Sequence, residues 1–321
     1  MNLLTHIARL LVSITFIFSG FVKLVDPIGS AIKFEEYFSE DVLNLVFLIP
    51  YSLPFSILLI LVELLLGIML LVGFKPKMTV WAIALLMAVF LFLTGYSAYF
   101  NKVTDCGCFG DAIKLSAWGT FYKNIFFSAL ILLLIFNIKH INHWFGKALS
   151  NWIPFISLLT SLYITYYVLQ HLPIIDFRPF AIGNSIPKGM EYVDDEDFPP
   201  IHDFFLENET EDLTQQILKA DKVLLIVSYN IENSELDAFE SFKELGDEAL
   251  KKNYLVYTLS ASAMETFKEV KASYNLPFDM LFCDETTLKT IIRANPGIIT
   301  LEQGIIKGKW NWTDVDKIQL K

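Results

Sequence analysis

The sequence predicts a bundle of membrane-spanning α-helices followed by an α/β domain. Three observations predict it. Five apolar stretches, each about the 20 residues needed to cross a bilayer, fall in the first 172 residues. Charge is crowded into the rest of the chain: residues 1–170 carry 8 acidic and 10 basic side chains, the remainder 27 and 15. Beyond residue 220, short apolar runs alternate with amphipathic segments.

Composition agrees with two parts of different solvent class. The chain is 54% hydrophobic with mean hydropathy +0.47, too apolar for an ordinary soluble enzyme. The surplus lies in the nearly neutral first half. The acidic second half has no basic stripe to neutralise phosphates, so nucleic acid is excluded as a partner. The bilayer is the first partner expected.

The five stretches are Leu3–Val25, Leu53–Phe74, Met78–Phe100, Trp118–Ile138 and Trp152–Leu172. The first lacks a small-residue cleavage site and so is not a removable signal peptide. Its Arg9 and Lys23, near the two ends, are expected to snorkel. Tyr51, Tyr99, Trp118 and Trp152 mark ends at headgroup level. The turn after the second stretch holds Lys75 and Lys77, and that after the fourth holds Lys139 and Lys147. The positive-inside bias then puts the N-terminus in the cytoplasm. An odd number of spans puts the C-terminal domain outside, in the periplasm for an inner membrane. No pair of interrupted helices of the transporter kind is present.

Polar residues inside apolar stretches need a reason, because an ionised group at mid-bilayer is costly. Glu63 lies within ILVELLLG and Lys123 five residues into the fourth stretch. One reading makes each a bundle-interior residue, paired with the other, with Lys23 or with a carbonyl. The other makes Glu63, Lys23 and Lys123 a proton or quinone site. Between the first two spans, Ala31, Phe34, Tyr37, Phe38 and Leu45 recur at helical spacing among acids. That suits an amphipathic helix on the outer surface, or a lid over the cysteine loop described below.

In the second half, KVLLIVSYN (222–230), NYLVYTLS (253–260) and PFDMLFCD (277–284) read as strands. The helix between the first two should turn Leu236, Phe239 and Phe242 inward, and two further helices follow the second and third strands. Gln303-Gly304 then joins two closing strands in a hairpin. This order, with Asn295-Pro296 directly before the hairpin, resembles the thioredoxin-like fold over about residues 200–315. The resemblance implies a cis-proline at Pro296. It also implies a Cys-x-x-Cys after the first strand, where this chain has SYNIENSE, with Glu232 and Glu235 in place of thiols. Cys283 falls at the end of another strand and reads as a small buried hydrophobe.

The stretch TDCGCFGD holds Cys106 and Cys108. Three motifs in order, FSGFVKLVDP (18–27), ELLLG (63–67) and DCGCFGDAIKLS (105–116), resemble the DoxX/MauE family of redox-associated bundles. The resemblance divides the chain into a four-span bundle (1–140), a fifth span (148–172), a connector (173–200) and an extracytoplasmic thioredoxin-like domain without a catalytic dithiol (201–321). It implies disulfide formation in, or maturation of, periplasmic proteins through Cys106 and Cys108, with a membrane quinone as a cofactor and a periplasmic client or redox partner. A Cys-Gly-Cys disulfide closes a very small ring, and strain of that kind makes a bond easier to reduce. A metal site is not expected, because the loop adds only Asp105 and Asp111 as ligands. The alternative is a non-catalytic scaffold that presents the degenerate thioredoxin-like domain. Phe109 is expected against the membrane surface near Trp118.

Overall fold

The computed structural model describes residues 2–103, 107–192 and 198–321. The chain divides into two compact units, Met1–Leu169 and Gln170–Lys321.

The first unit is helical. Its elements are α1 (Asn2–Val25), α2 (Pro27–Phe38), a 3-10 turn (Val46–Tyr51), α3 (Ser52–Val72), α4 (Pro76–Phe100), α5 (Ala117–Phe136) and α6 (Gly146–Gln170). Five of these are long and apolar enough to cross a membrane. Local chemistry sets the breaks. Asp26 accepts a hydrogen bond from the Gly29 amide at 2.9 Å and caps α2, with Pro27 at its first position. Gly73, at φ +76°, ends α3, and the Phe74 amide donates back to the Met69 carbonyl. Pro76 then opens α4.

Helices α1 and α3 touch backbone to backbone. A Cβ on Gly20 would lie 2.8 Å from Leu64 Cβ, and one on Gly67 would lie 2.9 Å from the Ile17 nitrogen. Small residues at a crossing are what let helices in lipid approach this closely. Ala8, Val12, Phe16, Leu70, Ile83 and Leu134 pack beside that crossing.

Two expectations are corrected here. Neither Arg9 nor Lys23 snorkels: Lys23 is buried against Glu63, and Arg9 is fully buried, its guanidinium donating to the carbonyls of Leu70, Leu71 and Asn142 at 2.8–2.9 Å. These include carbonyls in the last turn of α3, where helical partners run out and the Leu70 carbonyl has only a long bond from the Gly73 amide, so a fixed planar donor completes them. Leu45 is not part of the amphipathic helix, which ends at Phe38 and is followed by turns.

The second unit is built on a five-stranded sheet of order β3-β2-β1-β4-β5. The strands are β1 (Val223–Val227), β2 (Leu255–Ser260), β3 (Asp279–Phe282), β4 (Gly297–Glu302) and β5 (Ile305–Asn311). β1, β2 and β3 are parallel, while β4 and β5 are antiparallel to their neighbours. β1 reads VLLIV, without alternation, because both its faces are covered. Helices α9 (Ala238–Lys251) and α10 (Met264–Tyr274) pack on one face. Phe180, Phe204 and the short helices α8 (Thr214–Lys219) and α11 (Glu285–Ile291) cover the other, and the remaining element, α7 (Ile186–Gly189), adds Ile186. The arrangement is consistent with a thioredoxin-like fold. The Asn295-Pro296 bond is cis. Gln303 and Gly304 both have positive φ, +49° and +72°, the geometry of a two-residue hairpin turn. Leu236 is exposed rather than inward, because α9 begins two residues later, at Ala238.

Residues 171–192 belong to this unit. Asp176 is held by Arg178 through two hydrogen bonds, of 2.7 and 2.9 Å, and by Lys309 at 2.6 Å. Burial raises the Asp176 carboxyl, but the two cations outweigh it and hold the group below the usual carboxylate range. Burial, with Arg178 beside it, pushes Lys309 down to about 8 even though Asp176 opposes the shift.

Two outcomes are expected. Asp176→Asn strands two buried cations and should destabilise the domain by about 3–5 kcal/mol, read as lost amide-exchange protection in β1 and β5. Lys309 binds its proton less tightly when folded (about 8) than at its ordinary 10.5. Its contribution to stability therefore rises as pH goes from 8 towards 10.5, by up to about 1.4 kcal/mol per pH unit. Lys309→Met should flatten exchange-derived stability across that window relative to wild type. Identical pH profiles would contradict the assignment.

Candidate functional site in the helical bundle

Lys23 lies in the last turn of α1, where the helix dipole favours a cation. Glu63 lies in the middle of α3. The close crossing at Gly20 brings them together: Lys23 Nζ is 2.7 Å from Glu63 Oε2, with side-chain exposures of 5% and 3%. Lys23 also donates to Ser19 Oγ, one turn back on the same face of α1, at 2.9 Å. Ser19 Oγ in turn donates to the backbone carbonyl of Cys108 at 2.5 Å. The Phe90 ring lies 5.7 Å from the Lys23 ammonium. A hydrogen-bonded line thus runs from the carboxylate in the bundle core to the cysteine loop.

The loop is shaped to receive it. Cys108 sits between Gly107 (φ +64°) and Gly110 (φ +51°), and the Gly110 amide donates to the Gly107 carbonyl at 3.1 Å. Both conformations favour glycine. Phe109 is half-buried. Its ring is 5.6 Å from that of Phe18, and the Lys123 ammonium lies 4.1 Å from its centroid. The placement near Trp118 is therefore corrected: Trp118 packs on Phe121 and Tyr122 one turn along α5, and the loop is held instead by a cation–π contact.

Beside Cys108 is a cavity of about 330 Å³. Lys23, Lys33, Tyr37, Phe55, Phe90 and Cys108 are among its lining residues, and nearly all the rest are apolar. Its size and its few convergent polar groups are those of a small-molecule site. The amphipathic α2 forms one wall of it, and Lys33 side-chain carbons lie against Gly107.

Of the residues singled out in the sequence, Lys23, Glu63 and Cys108 come together. Among the described residues, Lys123 joins them through Phe109, and Glu63 pairs with Lys23 instead. Cys106 lies outside the described residues. Pro296 belongs to the second unit. There, Asn295 uses its side chain to bind the Asn230 backbone, donating to the carbonyl at 2.8 Å, while Glu232 and Glu235 are exposed. Cys283 is fully buried, and burial with Asp284 alongside pushes its thiol up to about 12. Among the described residues no cluster of three His, Cys, Asp or Glu is placed to hold a metal ion. Ser19 and Phe90 were not singled out in the sequence. The signal for Ser19 is its i, i+4 spacing from Lys23, which puts both on one helix face.

The family described as Methylamine utilisation protein MauE matches residues 1–137. That match takes in α1 to α5, the cysteine loop and the Lys23–Glu63 pair, and it leaves α6 and the second unit outside. No curated protein matches the chain. Five candidate spans, the ordered motifs and the family match agree: the chain is a multi-pass membrane protein whose residues 1–137 are similar to the MauE family, with a C-terminal mixed α/β domain.

Proposed function

We propose that this protein is a thiol-redox accessory of the inner membrane that supports disulfide formation in periplasmic proteins through Cys106 and Cys108. The observation that carries the reading is the tethering of Cys108. Its carbonyl is fixed by Ser19, Lys23 and Glu63, and the residue lines a cavity in the bundle. A loop that served only as a surface connection needs no such anchor.

In this reading a client dithiol attacks the Cys106–Cys108 disulfide. The thiolate forms a mixed disulfide, and the second client thiol displaces the loop cysteine. The client gains one disulfide, and the loop leaves as a dithiol carrying two electrons and two protons. Reoxidation needs a two-electron acceptor. The apolar, aromatic cavity wall and the Lys23 ammonium suit the membrane quinone that the family resemblance implies; when bound, it would take up those electrons and protons. Lys23 would orient its oxygen, and the bundle would exclude water. The N-terminus is cytoplasmic and the C-terminal domain periplasmic. That domain, without a dithiol after β1, binds clients and does not oxidise them.

One observation favours a second reading, a non-catalytic scaffold: exposed Glu232 and Glu235 occupy the loop after β1 where relatives of the fold carry thiols.

The tests are direct. Cys106→Ser and Cys108→Ser should each abolish client maturation, with the double variant no worse, because the pair acts as one unit. Normal maturation in either single variant would leave only the scaffold. Alkylation of the native protein at neutral pH should label Cys106 and Cys108 only after reduction, and leave Cys283 unlabelled throughout. A reporter fused after Lys321 should be active in the periplasm; activity restricted to the cytoplasm would overturn the orientation.

A further inference from the structure

The cavity beside Cys108 is not sealed towards the sides of the bundle. Two of its walls come from α3 and α4, consecutive helices joined by the short turn at Gly73–Lys75. Its lining residues on these helices lie between Phe55 and Val62 and between Leu86 and Thr94. At 1.5 Å per residue that is roughly 15–25 Å from the turn, towards the free ends of the pair. α3 packs closely on α1, and α4 on α5, while α3 and α4 meet sparsely. The two helices are joined at the turn, and each packs more on its other neighbour than on its partner. Among the described residues, none of α5 or α6 lines it.

The lining is mixed. Lys23, buried, and Cys108 belong to it. Leu58, Val62 and Val89, which also line the cavity, are 59%, 37% and 46% exposed. On a helix that spans a bilayer, such side chains face lipid. The lining thus combines aliphatic side chains, the aromatic rings of Phe55 and Phe90, and one buried ammonium.

We propose that the cavity is loaded sideways from the bilayer through the α3–α4 seam, by a flat apolar molecule whose carbonyl oxygen accepts a hydrogen bond from Lys23. The chemistry selects the class. An apolar channel excludes charged solutes. Aromatic side walls favour a ring, and an ammonium already neutralised by Glu63 suits a neutral acceptor better than an anion. A membrane-dissolved quinone has all of these features. The proposal rests on the functional reading only in the choice of quinone as the redox partner; the doorway and the oxygen anchor stand on the geometry.

The test uses the full-length protein in lipid nanodiscs and a photoreactive short-chain benzoquinone, with crosslinks mapped by peptide mass spectrometry. Label is expected on the α3 segment 55–62 and the α4 segment 86–94. Val89→Trp, which fills the seam without touching Lys23, should cut specific labelling tenfold or more. Lys23→Met combined with Glu63→Leu removes the anchor while leaving no unpaired charge. It should weaken binding by about 10- to 100-fold, as expected for losing a hydrogen bond from a charged donor. Labelling confined to outer lipid-facing positions, or unchanged in both variants, would overturn the proposal, as would competition by phospholipid acyl chains equal to that by unlabelled quinone. The same measurement on Cys106→Ser/Cys108→Ser separates the two claims. If binding persists there while client maturation proves independent of the cysteines, the redox reading fails and the doorway stands. If binding is absent in wild type while the cysteines remain essential, the reverse holds.

Discussion

The bundle depends on one interaction, the buried ion pair between Lys23 and Glu63. Either charge alone inside a membrane-spanning helix carries a penalty of several kcal/mol. Together, 2.7 Å apart and shielded from lipid, they cancel as net charge and fix how α1 lies on α3. Replacing both with apolar residues would cost little in stability, so stability is a poor reason for the pair to exist. Position is a better one. The ammonium has hydrogen bonds to spare, and it uses one of them on Ser19.

From that point the site assembles outward. Ser19 hands the constraint to the Cys108 carbonyl, and the glycines on either side let the loop turn sharply enough to meet it. Phe109 and Lys123 hold the same loop from the α5 side. α2 closes one wall of the cavity with Lys33 and Tyr37. Four helices and a loop, far apart in sequence, thus converge on a polar point in an apolar volume. The second unit has its own buried charge cluster, around Asp176, which ties residues 171–192 to β5. Its only thiol among the described residues, Cys283, is buried and poorly ionised.

Much of this was legible in the sequence. Span length and hydropathy mark helices that cross a bilayer, and unbroken apolar runs mark strands covered on both faces. Gln303-Gly304 marks the hairpin through its demand for positive φ. What could not be read was which partner each buried charge takes. Glu63 had three candidates, and only the close crossing at Gly20 and Gly67 selects Lys23. Arg9 sat where a snorkelling side chain would, but carbonyls in the last turn of α3 compete with water for it. Leu236 fits a helical stripe, yet the helix starts after it. Phe90 carries no motif, and Ser19 shows only its i, i+4 spacing from Lys23; which groups they meet follows from packing.

The central claim is that the ion pair, acting through Ser19, holds the cysteine loop in place. The rate of maleimide labelling at Cys108 in the reduced, full-length protein measures this most directly, with peptide mass spectrometry separating it from Cys106. Ser19→Ala removes the tether without disturbing the ion pair or any thiol. Labelling at Cys108 should then accelerate several-fold over wild type; equal rates in the two proteins would contradict the account.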